Sequence, residues 1–73
     1  MKEKLILVFT SSHAIAIERQ LKKKGIACRL AAVPRGISSD CGTCVIFDAE
    51  HTDEVSEFVS RLPFEIEGIR DLE

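Results

Sequence analysis

The chain has no apolar run approaching the ~20 residues of a membrane span, so it reads as a protein without membrane segments. It has no excess of basic charge. The net charge is -2 with both signs interspersed, which withholds the basic face that nucleic-acid binding needs. It has no second cysteine pair to complete a four-ligand zinc site, so no metal is expected, and no other cofactor. Three cysteines make an odd number, which argues against a disulfide framework. Linkers, internal repeats and low-complexity tracts are absent. The charged start Met1-Lys2-Glu3-Lys4 is followed by an apolar stretch, Leu5 to Phe9, too short for a signal-peptide core. The expected compartment is therefore the cytoplasm. Apolar residues make up 45% of the 73, enough for one small globular domain near the lower limit of an unstapled core.

What is present is a single alternating pattern. Lys4 to Phe9 is continuously apolar after its first residue and suits a central strand. Thr10-Ser11-Ser12 supplies N-cap oxygens for a helix from about His13 to Lys24, with Ala14, Ile17 and Leu21 on its inner face. Lys22 to Lys24 complement the helix C-terminus, and Gly25 caps it. Ile26 to Val33 reads as a second strand, with Cys28 inward and Arg29 on the other face. Pro34 to Gly42 is loop, and Thr43 to Phe47 a third strand. Asp48 caps a second helix over roughly Glu50 to Leu62, with Val55, Phe58, Val59 and Leu62 buried; Pro63 ends it. Ile66 to Leu72 is a charged fourth strand in which Gly68 suggests a bulge.

The order βαββαβ predicts an α+β, ferredoxin-like sandwich: a four-stranded antiparallel sheet with two helices on one face. Right-handed crossovers place the first and third strands at its centre. Both are apolar on both faces, so the face without helices is expected to need cover, and a homodimer through it would provide that. The topology also brings Ser11, Ser12 and His13 to the same end of the sheet as the Pro34–Gly42 loop, and sends His51 to the other end.

That loop is the chemical focus. Ile37-Ser38-Ser39-Asp40-Cys41-Gly42 sets a thiol among small polar residues. A thiolate at Cys41 would be favoured by the first helix N-terminus and by Arg35. Ser38 and Ser39 can donate hydrogen bonds to a sulfur anion, and Gly42 admits close approach. Asp40 opposes them, since a neighbouring carboxylate disfavours a second negative charge. The plainer alternative is a partly buried loop cysteine. Cys41 and Cys44 form a C-x-x-C, which makes Cys44 a candidate resolving thiol. If the intervening chain is extended, however, the two Cα atoms lie roughly 10 Å apart, beyond the reach of a disulfide. Cys44 packed in the core is the simpler reading, as it is for Cys28. His13 is a candidate proton shuttle or an ordinary helix-start residue. Arg29 and Arg35 are candidates for an anion cradle or ordinary surface charge.

The same stretches carry a resemblance. An apolar first strand, Ser11-Ser12-His13, Lys24-Gly25-Ile26, Arg29, Pro34-Arg35 and Ile37 to Gly42 together resemble a small bacterial family of selenium/sulfur carrier-like proteins. The resemblance covers about the whole chain. It implies a carrier that holds a persulfide or perselenide on Cys41, loaded by a donor protein and unloaded by an acceptor. Such a protein is a cosubstrate rather than a stand-alone catalyst. Two other classes stay open at this point: a regulatory or protein-interaction module on the same scaffold, and a thiol–disulfide protein using Cys41 and Cys44.

Overall fold

The computed structural model describes residues 2–37 and 41–72. Its elements are β1 (Glu3–Leu7), α1 (Ser11–Lys23), β2 (Cys28–Ala32), β3 (Thr43–Asp48), a 3-10 turn (Ala49–His51), α2 (Thr52–Ser60) and β4 (Gly68–Leu72). The strands form one antiparallel sheet in the order β2-β3-β1-β4. This is the expected ferredoxin-like α+β arrangement, with the two most apolar strands at the centre and the charged β4 on an edge.

Strand alternation divides the interior into two clusters. Ile6 and Val8 from the first strand region, with Val45 and Phe47 of β3, meet Ala14, Ile17 and Leu21 of α1, Ile26 between α1 and β2, and Val55 of α2. All nine are at most 3% exposed. Leu5, Leu7, Cys44 and Ile46 point to the other face and pack with Ala31, Val33, Ile37 and Leu72.

This second face is already covered within the chain, which corrects the expectation that it needs a partner. Its four central residues are at most 4% exposed. Arg29 reaches from β2 across β3 to Glu3 of β1, with Nη1 2.8 Å from Oε2. The register sets Arg29 beside Ile46 and Glu3 beside Asp48, so the ion pair lies on this face of the sheet. On the opposite edge the Arg70 guanidinium lies over Gly68, with Nη1 2.7 Å from where a Cβ would stand. Gly68 therefore serves close packing and a φ of 155°, not a bulge: the ladder runs from Leu7–Gly68 to Glu3–Leu72 without an extra residue.

Several boundaries differ from the sequence reading. β1 ends at Leu7; Val8 stays buried, while Phe9 turns out to 44% exposure. Helix α1 begins two residues earlier than expected, because Thr10 is the cap: its Oγ1 accepts the His13 amide at 3.2 Å. At the other end Gly25, with φ of 82°, allows Ile26 N–H to reach Leu21 O and Gly25 N–H to reach Lys22 O, both at 3.0 Å. This is a Schellman closure, with the Ile26–Leu21 contact buried beneath it. Asp48 does act as a cap, its Oδ1 accepting the Glu50 amide at 2.9 Å, but the capped segment is the 3-10 turn that leads into α2. Helix α2 ends at Ser60, and Phe58, Val59 and Leu62 are half-buried rather than core; Val55 alone in α2 is fully buried.

Candidate functional site around Cys41

The β2–β3 connection is closed at its base by Val33 N–H to Gly42 O at 2.9 Å. Within it Pro34 to Ile37 forms a turn, Ile37 N–H bonding Pro34 O at 3.3 Å, with exposed Arg35 and Gly36 at its tip. Ser38, Ser39 and Asp40, the candidate hydrogen-bonding and opposing residues, lie outside the described residues.

Cys41 stands just before β3. Its side chain is half-buried against the helix-side core rather than open to solvent. Sγ lies 3.4 Å from Val8 O and 3.4 Å from Thr43 O, and the Thr43 amide donates to it at 3.4 Å. A protonated sulfur can donate to either carbonyl. An ionised sulfur would keep the Thr43 amide as its one favourable contact of the three. Val8 precedes the α1 cap by two residues, so the sulfur is anchored to the end of β1 that leads into the helix. The topology thus brings Cys41 to the same end of the sheet as Ser11 and Ser12, both exposed in the first turn of α1.

His13 shares that end, but its ring is occupied. It stacks on Phe64, with centroids 3.8 Å apart and planes 9° from parallel. Its Nδ1 is buried with no hydrogen-bond partner among the described residues. Phe64 carries no sequence signal of a role at this site. Nothing in its spacing points at His13; only the fold of the segment after α2 brings them together.

The other candidates separate. Arg29 is not part of an anion cradle at Cys41: it lies toward the far end of the sheet, paired with Glu3. Cys44 points to the face opposite Cys41, buried among Leu5, Leu7 and Ile46. The two sulfurs of the C-x-x-C therefore pack on different sides of the sheet and do not face each other. Burial pushes the Cys44 thiol up, as does the nearby Cys41. Cys28 sits at the core margin, donating to Glu18 O at 3.5 Å; burial and the Glu18 carboxylate push it up as well. His51 lies at the opposite end, its Nδ1 2.8 Å from Glu54. A cleft of about 360 Å³ lies between the end of α1 and α2, lined by residues including Lys24, Phe58 and Arg61, and Cys41 is not among its lining residues. Among the described residues no group of three or more His, Cys, Asp or Glu side chains is placed to hold a metal ion, and no helix is long and apolar enough to cross a membrane.

Fold and site together define a small ferredoxin-like domain that sets one thiol in the loop between its β2 and β3 strands, against the end of β1. A family model described as "Putative Se/S carrier protein-like" matches residues 4–70, and the chain belongs to that family. No curated protein and no solved structure matches it.

Proposed function

We propose that the protein carries sulfur or selenium as a persulfide or perselenide on Cys41, taking it from a donor protein and delivering it to an acceptor in the cytoplasm. The carrying observation is the contrast among the three thiols. Cys44 is fully buried on the face away from the site, and Cys28, half-buried like Cys41, has its sulfur turned to Glu18 O, whereas Cys41 lies in the loop before β3 with the Thr43 amide directed at its sulfur. Family membership supports the chemical class.

The transfer needs no outside oxidant. The Cys41 thiolate attacks the terminal sulfur of a donor persulfide. A new S–S bond forms on Cys41, the donor's S–S bond breaks, and the donor leaves as a thiolate. Discharge is the same exchange in reverse, with an acceptor thiol attacking the outer sulfur. A perselenide follows the same bookkeeping with selenium as the outer atom. Loading requires the thiol to give up the proton that Sγ can donate to Val8 O or Thr43 O. Arg35, Ser11, Ser12 and Gly42 would meet a partner at this end of the sheet, and Ser38, Ser39 and Asp40, which precede Cys41 in sequence, would serve the same site. His13, locked on Phe64, shapes this end of the molecule rather than shuttling protons.

Limited alkylation near neutral pH, followed by peptide mapping, tests the reading. Cys41 is expected to label first, with Cys44 delayed by its full burial and Cys28 by the desolvation and the Glu18 carboxylate that disfavour its thiolate. Equal rates in the folded protein, or a Cys41 protected until unfolding, would contradict it.

A further inference from the structure

The two edges of the sheet are built differently. β4 exposes Arg70 and Asp71, the latter tied to Lys4 at 3.0 Å. β2 reads Cys28-Arg29-Leu30-Ala31-Ala32, with no proline, glycine or acidic residue. Its single charge is drawn away over the sheet to Glu3. Edge strands are normally protected from pairing by charge, proline or a bulge, and β2 has only Arg29, whose guanidinium is held across the sheet at Glu3. Among the described residues the exposed large apolar side chains are Phe9, Ile15 and Leu30. Two of them rim this edge. Leu30 is the middle residue of β2. Ile15 lies one helical turn before Glu18, whose carbonyl takes the Cys28 thiol, and so faces the β2 side of α1.

We propose that β2 pairs antiparallel with β2 of a second copy, joining two four-stranded sheets into one of eight strands. Main-chain groups along an open edge select another strand as the occupant. The sequence of β2 selects its own copy. About a two-fold axis at Leu30, Cys28 stands opposite Ala32 and Arg29 opposite Ala31, so no like charges meet. Such a contact is isologous and closes on itself. The outer edges it leaves are both β4, with their charges. This surface differs from the helix-free sheet face, whose apolar residues are already buried. Antiparallel pairing also sends the two Cys41 loops in opposite directions along the strands, which keeps both open to partners. The proposal does not rest on the carrier reading.

Sedimentation equilibrium in reductant, at concentrations up to about 1 mM so that a weak interface still assembles, provides the test. The wild type should show a species of twice 8.1 kDa. Leu30→Lys, which sets two ammonium groups together on the axis, should be monomeric with an unchanged circular dichroism spectrum. Arg70→Glu on the far edge should remain dimeric. Hydrogen exchange of the wild type covers the case in which the lysine variant does not fold: β2 amides should exchange more slowly as concentration rises. A wild type monomeric throughout overturns the proposal. So does a dimer that survives Leu30→Lys, or a dimer whose β2 amides show no added protection.

Discussion

Replacing Cys44 by serine separates a structural sulfur from a chemical one. Cys44 is 0% exposed among Leu5, Leu7 and Ile46, and among the described residues its sulfur lies 3.9 Å from Ala32 O. That separation suits a weak thiol contact and is too long for a hydroxyl hydrogen bond. Serine would bury a hydroxyl without a good partner, costing about 1–3 kcal/mol. A 73-residue domain holds on the order of 4–11 kcal/mol in all. At this size each kcal/mol moves Tm by about 4–8 °C, so the midpoint should fall by roughly 5–20 °C. Thermal and urea unfolding monitored by circular dichroism measure it. Cys44→Ala keeps the site apolar, loses only the packing of one sulfur, and should cost about 1 kcal/mol. At a temperature where the serine variant is folded, loading at Cys41 should persist. A serine variant as stable as the wild type would mean that the cluster is not dry. A folded variant that no longer loads would mean that the two cysteines act as a pair, against their placement on opposite faces.

Other substitutions probe the scaffold. Gly25→Ala should destabilise by about 1–2 kcal/mol in urea titrations, because a side chain there meets no neighbour within 4 Å but must hold a φ of 82°. Phe58→Ala should cost about 2 kcal/mol, below the ~3–5 of a fully buried phenylalanine, since the ring is half-buried. The Glu54 carboxylate raises the pKa of His51 above its ordinary 6.5. The stability linked to this pair is therefore complete below about 6.5 and lost as pH rises through the folded-state value. His51→Gln should flatten that decline in a pH series of urea midpoints, and an unchanged profile would show that the pair contributes nothing.

The fold was legible because period and punctuation agree. The apolar strands Leu5–Val8 and Val45–Phe47, the Ala14–Ile17–Leu21 stripe and Gly25 each point to the element that forms. Boundaries were harder to read. Thr10, Ser11 and Ser12 all carry oxygens able to cap, and only backbone geometry selects Thr10. The fate of the helix-free sheet face was hidden, because the alternation of β2 does not reveal that Arg29 folds across β3 to Glu3. At the site, topology alone set Cys41 beside the start of α1. The half-buried sulfur was one of two open readings, and the sequence could not choose it, since its contacts are the carbonyls of Val8 and Thr43, which every residue possesses. Phe64 on His13 was equally silent, as a stacked pair 51 positions apart leaves no periodic trace.

The most direct measurement of the central claim is peptide mapping of the protein after incubation with a persulfide donor, and separately with a perselenide donor. One added, reductant-labile chalcogen on the peptide containing Cys41, absent in Cys41→Ser and retained in Cys28→Ser, is the predicted result. No adduct on Cys41 in the folded protein, or an adduct carried equally by Cys28, would contradict the account and leave the loop as a surface recognised by shape.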